Sequence, residues 1–445
     1  MKKGRDLPHV LGLLDTAAIE IMNETDSTQD RNYDVIVIGG GPGGTTTATL
    51  VAEKGHRVLL LERDKSPQFK VGESLMPATY WIFKRLGVIE KLKDSHFPEK
   101  YSVQFYSGSG KASAPFYFYR NDPHESSMTW QVLRSEFDQM LLENTQEKGA
   151  EVKRGVSVHE VLFEGEKAIG VRAKFADGRI EEIPATVIVD STGQSALISR
   201  KLKINTTEPT LKKASIFTHF EGGIRDEGID EGATLILHTE SKDSWFWSIP
   251  LPYDRVSVGV VGDLDYLLQD RRGSDGTLSH QAIFDEELAK CPALKPRIAN
   301  AKQLFPVKVT KDFSYRASRI AGDGWVLVGD AFGFLDPVYS SGLFLALKSG
   351  EMAADTINKA FEKEDFSGEQ LGSFGADFAA GMEAIRKLVY AFYTKDFSFA
   401  KFLKRFPECQ QGIVDILSGN VYRKDVTGIF APMAEMCPLP EDMRL

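Results

Sequence analysis

Hydrophobic residues near the start of the chain fall in short runs separated by a glycine-rich turn and a helical segment. Residues 35–38 are apolar throughout, which is typical of a parallel strand buried on both faces. Residues 43–54 predict a helix that ends at Gly55, and a second apolar run, residues 58–61, predicts the next strand. The pattern therefore indicates a β-α-β unit.

Later segments alternate polar and apolar residues, as strands with one buried face do. Residues 156–183 alternate around an Asp177-Gly178 turn and predict a β-meander. Residues 187–200, "VIVDSTGQSALISR", predict a third buried strand and a turn. Residues 326–328 predict a strand that leads into Gly329 and Asp330. These pieces are expected to complete one sheet from distant parts of the chain.

The middle and the end of the chain differ in pattern. Residues 205–310 combine strand-like runs such as "RVSVGVVGD" with a helical segment near "SHQAIFDEELAKC". Residues after about 356 follow a helical pattern and are rich in Phe and Tyr. We therefore predict an α/β fold (α+β overall), with a mixed β-sheet domain and a helical C-terminal region beside the parallel sheet.

Composition narrows the class of protein. The 445 residues are 42% hydrophobic and 26% charged, which is typical of a soluble globular protein. The net charge of −9 argues against nucleic acid or membrane as a partner. Cys291, Cys409 and Cys437 have no metal-ligand spacing, and neither do the scattered histidines, so no metal is predicted. Without a recognisable signal peptide or membrane span, a cytoplasmic location is expected.

The turn after the first strand is rich in glycine and follows G-x-G-x-x-G spacing through Gly39, Gly41, Pro42, Gly43 and Gly44. Such a turn lets the backbone approach a pyrophosphate, and the helix N-terminus supplies N–H donors. Glu62, next to Arg63 at the end of the second strand, can accept hydrogen bonds from ribose hydroxyls. The order strand, turn, helix, strand and acid predicts a site for FAD or NAD rather than NADP.

Asp330 favours FAD over NAD, because a carboxylate at such a strand end can bind the ribityl hydroxyls that NAD lacks. This arrangement resembles the flavoprotein hydroxylase family, which has a glutathione-reductase-like FAD-binding Rossmann domain. Arg134, in "WQVLRSEFDQMLLENTQEKGAEV", corresponds to that family's flavin-contacting residue at the start of a helix. A surface salt bridge is the alternative role for Arg134.

The resemblance predicts four parts of the chain. They are an N-terminal extension (1–32), a discontinuous FAD-binding domain (33–110, 130–204 and 311–355), a substrate domain (111–129 and 205–310) and a C-terminal helical region (356–445).

Three segments within these parts resemble the flavin-dependent halogenases. "FKVGESLMP" resembles the segment that carries their active-site lysine, which corresponds to Lys70. "DSWFWSIP" matches a W-x-W-x-I-P pattern through Trp245, Trp247, Ile249 and Pro250. "FLDPVYSSG" matches an F-x-x-P-x-x-S-x-G pattern through Phe334, Pro337, Ser340 and Gly342. The helical end of the chain is similar to the phenol- and pyrrole-acting branch of that family.

The resemblance implies a mechanism. Reduced FAD reacts with O2 to give a C4a-hydroperoxide, halide attacks it, and Lys70 captures the hypohalous acid or activates it by a hydrogen bond. Lys70, which we expect to be desolvated, and Ser340 are the implied catalytic residues. Ser341 and Gly342 would hold the halide at a helix N-terminus, while Pro337 and Gly342 contact the flavin. The residues by themselves also fit a solvated lysine and a serine-capped helix start.

Trp245 and Trp247 share one face of the predicted strand, opposite Phe246. In the family this pattern lies beside the flavin, so we expect the tryptophans and Tyr339 to form a flavin-side wall of the substrate site. An aromatic pair that faces the core is the alternative. Tyr339 stands where tryptophan halogenases have a glutamate, which favours a phenol or a pyrrole over an indole.

We therefore expect an FADH2-dependent halogenase of secondary metabolite biosynthesis that uses O2 and chloride or bromide. Its substrate would be a small electron-rich aromatic compound, either free or tethered to a carrier protein, and a separate flavin reductase would supply the reduced FAD. An FAD-dependent aromatic hydroxylase, or monooxygenase, is the main alternative. A saturase-type flavoprotein and a non-catalytic flavin-binding protein are further alternatives.

Overall fold

The structure is a computed structural model, and it describes residues 33–66, 68–120, 122–269, 271, 279–311 and 314–442. The predicted N-terminal extension lies outside these residues. The chain from Tyr33 onward forms one compact unit, and its division into three parts stays a prediction. Among the helices of the described residues, none is both long enough and apolar enough to cross a bilayer.

In chain order, the strands of the described residues are β1 Tyr33–Ile38, β2 Val58–Glu62, β3 Glu99–Lys100, β4 Ser102–Tyr106, β5 Phe116–Tyr117, β6 Thr129–Trp130, β7 Glu151–Arg154, β8 Ser157–Glu164, β9 Lys167–Lys174, β10 Ile180–Asp190, β11 Asn205–Thr207, β12 Lys213–Glu221, β13 Thr234–His238, β14 Ser244–Leu251, β15 Arg255–Asp263, β16 Lys302–Gln303, β17 Lys308–Lys311, β18 Tyr315–Ala317, β19 Ala321–Gly322, β20 Trp325–Leu327 and β21 Gly333–Phe334. The helices are α1 Pro42–Ala52, α2 Thr79–Leu86, α3 Ile89–Lys93, α4 Arg134–Glu147, α5 Leu197–Lys201, α6 His280–Ala289, α7 Lys295–Ile298, α8 Ser341–Lys363, α9 Gly368–Leu371, α10 Gly375–Tyr393, α11 Phe399–Arg405, α12 Gln410–Ser418 and α13 Phe430–Ala434.

The first sheet confirms the predicted parallel arrangement, with strands in the order β20-β10-β1-β2-β7. Ile38 lies opposite both Leu61 and Asp190, and Asp190 lies opposite Leu327. Because parallel strands end at the same edge of a sheet, the loops that follow these residues meet at one place. Segments that are far apart along the chain therefore contribute to a single site.

One strand of this sheet differs from the prediction. The sequence predicts the last strand of the meander and the third buried strand as separate elements, whereas β10 runs unbroken through both. Its first half pairs antiparallel with β9 up to Pro184, and its second half pairs parallel with β1 from Ala185. Pro184 has no N–H to donate to a ladder, and it lies at this change of partner.

The second sheet has the order β16-β12-β15-β14-β13-β4-β5, and β17 also pairs with β12. One face carries Trp245 and Trp247 and packs into the core shared with the first sheet. The other face carries Phe246, which contacts Phe284 of α6 in a separate core. The predicted alternation is confirmed. Strand β4 belongs to this sheet, although it lies within the range 33–110 that the sequence assigns to the FAD-binding domain.

The C-terminal part is helical, as predicted, and begins with the long helix α8. Helix α8 packs on α1 so closely that a Cβ atom on Gly350 would lie 2.5 Å from the carbonyl oxygen of Gly43. This contact holds the middle of α8 against the first turn of α1, directly after the glycine-rich turn.

Candidate active site

A cavity of about 750 Å³ lies where the carboxyl ends of the first sheet face the inner side of the second sheet. Most of the residues singled out from the sequence line it, namely Gly39, Gly41, Pro42, Gly43, Glu62, Arg63, Lys70, Arg134, Trp247, Asp330, Pro337, Ser340 and Gly342. Four others, Gly44, Trp245, Tyr339 and Ser341, are not among its lining residues. One cavity thus combines residues from both sheets and from the start of α8.

The glycine-rich turn forms a cradle at one end of this cavity. Gly39 has φ +106°, which favours glycine, and a Cβ atom there would lie 2.5 Å from the carbonyl oxygen of Ser191. A Cβ on Gly44 would lie 2.1 Å from the carbonyl oxygen of Gly39, so Gly44 allows the helix to pack against the turn. A Cβ on Gly41 would meet nothing within 4 Å. Open space therefore lies directly before the N-terminus of α1.

Glu62 is buried at the end of β2, and its carboxylate is already engaged by the backbone. Oε2 accepts a hydrogen bond from the N–H of Gly40 (2.6 Å), and Oε1 accepts one from the N–H of Asp64 (2.8 Å). The side chain therefore holds the glycine-rich turn in place. It lines the cavity, where its remaining lone pairs face the position predicted for a ribose.

Arg134 begins α4 and forms a buried ion pair. Its Nε and Nη2 donate to the two carboxylate oxygens of Asp138 (2.8 and 3.0 Å), and its Nη1 donates to the carbonyl oxygen of Val71 (2.8 Å). Lys70 lies in the same group, with its Nζ 3.8 Å from Asp138 Oδ2. The expected desolvation of Lys70 is not found, because its side chain is 36% exposed. The segment around Lys70 is thus attached to α4 through Arg134.

Asp330 lies in the loop after β20 and lines the cavity. Burial raises the pKa of Asp330 to about 7, and the positive charge of Arg134 opposes this rise. The backbone carbonyl of Asp330 accepts a hydrogen bond from the hydroxyl of Tyr315 (2.7 Å), which fixes the loop. A carboxylate in this environment is stabilised by any ligand that brings hydroxyl donors to it.

The second sheet supplies an aromatic and aliphatic wall that includes Phe217, Ile236, Trp247 and Ile249. The Trp247 ring lies directly over Gly259 of the neighbouring strand, where a Cβ atom would come within 2.2 Å of ring carbons. Trp247 Nε1 donates to Ser257 Oγ (3.1 Å). The ring is therefore fixed in orientation by one strand and presented to the cavity by another.

The segment 334–342 forms a tight turn into α8. Ser340 has φ +59°, an uncommon value for a residue with a side chain. A Cβ on Gly342 would lie 2.9 Å from the Phe334 ring, which explains the glycine of this pattern. The hydroxyl of Ser341 is buried and has no hydrogen-bond partner among the described residues. A buried donor without a partner at a helix N-terminus is suited to an anion.

Trp245 lies behind the wall and connects it to this turn. Its Nε1 donates to the hydroxyl of Tyr393 (3.0 Å), which donates to Asp336 Oδ2 (2.7 Å). Asp336 Oδ1 accepts from the N–H of Val338 (3.0 Å), and burial raises the pKa of Asp336 to about 6. The sequence did not indicate the roles of Asp336 and Tyr393, because they lie 57 residues apart and meet through folding.

Tyr339 is also placed behind the cavity. It is 6% exposed, and its hydroxyl donates to the carbonyl oxygen of Leu388 (3.0 Å). Its ring lies 6.1 Å from the Phe392 ring. Tyr339 therefore fastens the turn to α10.

A second buried pair was not predicted from the sequence. Glu73 Oε1 lies 2.7 Å from His219 Nε2, and both residues are 1% exposed. Glu73 lines the cavity three residues after Lys70, and the ring of Phe69 packs against that of His219 at 4.3 Å. The sequence offered only the glutamate of "VGES" as a signal, since nothing in it joins residue 73 to residue 219.

These residues fit FAD. The space before α1 can take a pyrophosphate, the Asp330 carboxylate can take ribityl hydroxyls, and the cavity extends from there to the aromatic wall. The extension toward the second sheet is what a flavin ring and an additional small ligand require.

Comparisons with known proteins agree with this assignment. The FAD binding domain family matches residues 32–359. A 1H-pyrrole-2-carbonyl-(peptidyl-carrier protein) chlorinase of Pseudomonas fluorescens is 29% identical over 413 residues, which cover 88% of this chain and 90% of that protein. The corresponding brominase of Pseudoalteromonas luteoviolacea is 33% identical and is matched over 76% of this chain and 80% of its own length. The structure of the flavin-dependent brominase Bmp2 has a TM-score of 0.80 at 29% identity, covering 91% of this chain and 99% of that one.

Proposed function

Because the chain belongs to the flavin-dependent halogenase family and uses FAD with chloride or bromide to halogenate an aromatic ring, we propose that Lys70 delivers the oxidised halogen to a phenol or a pyrrole. The observation that carries this proposal is the composition of one cavity. It brings the glycine-rich turn, Lys70, Trp247 and the turn into α8 together from four distant segments.

The chain's own residues bind the cofactor at one end of the cavity. The backbone at Gly41 and the N-terminus of α1 would hold the pyrophosphate, and Asp330 would hold the ribityl chain. Reduced FAD, supplied by a separate flavin reductase, provides the electrons with which O2 is activated and halide is oxidised. Ionised Asp330 is the form that accepts hydroxyl donors best, so with a pKa of about 7 we expect cofactor binding to strengthen as pH rises through that value.

The turn into α8 is the proposed halide site. Ser340 and Gly342 line the cavity, and the hydroxyl of Ser341 is buried without a partner in the described part of the chain. Free N–H groups at the start of a 23-residue helix carry partial positive charge, which stabilises an anion. The hydrogen bonds that connect Trp245, Tyr393 and Asp336 would keep this turn in position, because Asp336 also accepts from the N–H of Val338 at the base of the turn.

Lys70 is the proposed carrier of the oxidised halogen. It lines the cavity, and its 36% exposure leaves the amine free to move between Asp138 and the space inside. Asp138 is a positioning residue in this proposal, since it anchors Arg134 and stands 3.8 Å from the amine. The Trp247 and Phe217 rings would exclude water and keep the organic substrate away from the flavin.

A pyrrole-2-carbonyl group attached to a peptidyl carrier protein is the first substrate to test. The Pseudomonas fluorescens chlorinase and the Pseudoalteromonas luteoviolacea brominase carry that substrate in their names. The apolar wall and the absence of a carboxylate at Tyr339 suit a ring that is already electron-rich. A free phenol is the second candidate.

The decisive experiment needs no organic substrate. Protein, reduced FAD, O2 and halide are mixed with a small amine scavenger, and halogenated scavenger is measured beside hydrogen peroxide. We expect halide-dependent halogenation of the scavenger by the wild type and its loss in Lys70→Met, with FAD still bound. Lys65→Met, which removes an exposed lysine of the same segment, is the matched control.

Two results would overturn the proposal. Peroxide that is unaffected by halide, together with rapid NADPH consumption by the protein alone, would instead indicate the aromatic hydroxylase. Undiminished halogen transfer by Lys70→Met would remove Lys70 from the mechanism.

A further inference from the structure

Lys100 is a buried amine with no part in the proposed halogen transfer. It lies in β3 and is 3% exposed. Its Nζ donates to Ser74 Oγ (2.8 Å) and to the carbonyl oxygen of Leu75 (2.9 Å), and lies 5.6 Å from the centre of the Phe118 ring. Its contacts in the described part of the chain include no carboxylate. A lysine buried among uncharged groups is unusual, because a charged ammonium there has lost its hydration.

Two hydroxyls connect this amine to the cavity. Ser74 Oγ lies 2.9 Å from Thr234 Oγ1, and the side-chain amide of Gln131 donates to Thr234 Oγ1 (2.9 Å). Both Ser74 and Thr234 line the cavity that also contains Lys70 and Trp247. The result is an unbroken line of hydrogen bonds from a buried nitrogen to the wall of the substrate space.

The donors and acceptors along this line of hydrogen bonds can be arranged in two opposite orders. When the amine carries a proton, Nζ donates to Ser74, Ser74 donates to Thr234, and the proton of Thr234 points into the cavity. When the amine is neutral, each hydroxyl can turn round, so that Thr234 Oγ1 accepts from the cavity and Nζ accepts from Ser74. Either oxygen can be the donor at the observed 2.9 Å. Reversing the line moves a single proton without moving a heavy atom.

Replacing a ring hydrogen by halogen releases a proton that a base must take. Tyr339 is not among the cavity's lining residues, and both oxygens of Glu62 already accept backbone N–H groups. Glu73 is paired with His219, and its second oxygen, which has no hydrogen-bond partner in the described part of the chain, is not accessible to solvent. Asp330 lies on the cofactor side, beside the glycine-rich turn. The two hydroxyls on the second-sheet side are thus placed for this step.

We propose, as a step that rests on the proposed function, that Lys100 accepts the ring proton through Thr234 and Ser74. The ring carbon forms a bond to the halogen of the hypohalous acid that Lys70 presents through a hydrogen bond, and the oxygen–halogen bond breaks to leave hydroxide. The electrons of the carbon–hydrogen bond return to the ring as its proton passes to Thr234, the proton of Thr234 to Ser74, and that of Ser74 to Nζ. The ammonium later returns a proton by the same route, and hydroxide becomes water.

Burial lowers the pKa of Lys100 from 10.5 to about 7, so a neutral amine is present at and above that pH. The groups in contact with the ammonium are the Ser74 hydroxyl, the Leu75 carbonyl and the Phe118 ring. The titratable neighbours along β3 and after it, Glu99 and Tyr101, are hydrogen-bonded to one another.

The first test needs no substrate. Unfolding of the purified protein by urea is followed from pH 7 to pH 10 for the wild type and Lys100→Met. A titrating buried amine makes the wild type gain stability relative to the variant as pH rises. A difference that does not change with pH would mean that Lys100 does not change its charge in this range, and would overturn the proposal.

The second test separates ring halogenation from halide oxidation. The probe is a pyrrole-2-carboxyl group loaded on a peptidyl carrier protein, in ring-protonated and ring-deuterated forms. Lys100→Met and Thr234→Val should slow halogenation of the ring on the order of 100-fold more than halogenation of the amine scavenger. Both variants should acquire a deuterium isotope effect that the wild type lacks. Lys100→Arg should not restore the rate, because a guanidinium does not give up its proton.

The control is Lys213→Met, which removes a lysine of similar burial whose charge is paired with Asp263 (2.6 Å). It should produce no isotope effect.

Equal losses in both reactions without an isotope effect would give Lys100 a purely structural role and overturn the proposal. A wild-type protein that does not halogenate the scavenger would instead refute the proposed function. A wild type that halogenates only the scavenger would refute the pyrrole substrate, and the pH titration would then decide on Lys100.

Discussion

Two amines stand in opposite surroundings: Lys70 lines the cavity, whereas Lys100 is connected to it through Ser74 and Thr234. Lys70 is 36% exposed and stands 3.8 Å from the carboxylate of Asp138, in a group that also contains Arg134. Lys100 is buried, and its hydrogen-bond partners are a hydroxyl and a carbonyl oxygen. Burial among neutral groups stabilises the uncharged form of Lys100. The same side-chain type is thus suited to two different tasks in one protein.

The largest loss of stability is expected on removal of Asp138, the carboxylate that holds Arg134 and lies beside Lys70. Asp138→Ala would leave the buried guanidinium of Arg134 without its bidentate partner, so we expect a loss of about 3–5 kcal/mol in the free energy of unfolding. Urea unfolding at pH 7 measures it. Glu147→Gln is the control, because its ion pair with Lys91 is exposed and contributes under about 1 kcal/mol. Equal losses in the two variants would show that Arg134 is solvated.

The neutral surroundings of Lys100 are tested by the pH dependence of the free energy of unfolding. The pKa of Lys100 is lower in the folded protein (about 7) than in the unfolded chain (10.5). The unfolded chain therefore binds more protons between these values, and the stability of the wild type rises with pH. The rise is lost as pH falls toward 7. Relative to Lys100→Met, we expect roughly 1.4 kcal/mol per pH unit in this window. A slope of the opposite sign would contradict the assignment.

A smaller loss of stability is expected at Tyr393, whose hydrogen bonds join Trp245 of the second sheet to Asp336 in the turn before α8. Tyr393→Phe removes the acceptor of Trp245 Nε1 and one donor to the buried carboxylate of Asp336. We expect a loss of about 1–3 kcal/mol in unfolding free energy and a raised KM for halide. Tyr253→Phe, at an exposed position, should change neither quantity. An unchanged KM for halide would show that the turn does not depend on Tyr393.

The smallest change in stability is expected at the residue proposed to matter most for activity. Lys70→Met removes a partly exposed amine whose pairing with Asp138 is long, so its unfolding free energy should change by less than about 1 kcal/mol. Bound-flavin absorbance and urea unfolding measure this together. A loss as large as that of Asp138→Ala would mean that Lys70 is part of the structural ion pair, and would remove the contrast between the two amines.

Local sequence predicted the parts of the fold that depend on neighbouring residues. The β-α-β unit, the Asp177-Gly178 meander and the two faces of the strand around Trp245 all follow from periodicity and glycine spacing, and all are present. The unbroken strand β10 was not predicted, because periodicity does not show that a strand can exchange one pairing partner for another and continue.

The candidate site likewise has features that the sequence predicts and features that only the folded structure shows. The glycine-rich turn, the lysine segment and the turn into α8 are readable in the sequence, because each is a short contiguous pattern whose backbone geometry is encoded by its own residues. Folding then selects which of those residues reach the cavity: Trp247 does, while Trp245 and Tyr339 form hydrogen bonds behind its wall. Folding also sets the charge environment of each amine. Burial and hydrogen bonding depend on residues such as Thr234 and Asp138, which are distant in the chain from Lys100 and Lys70 and come beside them only in the folded protein.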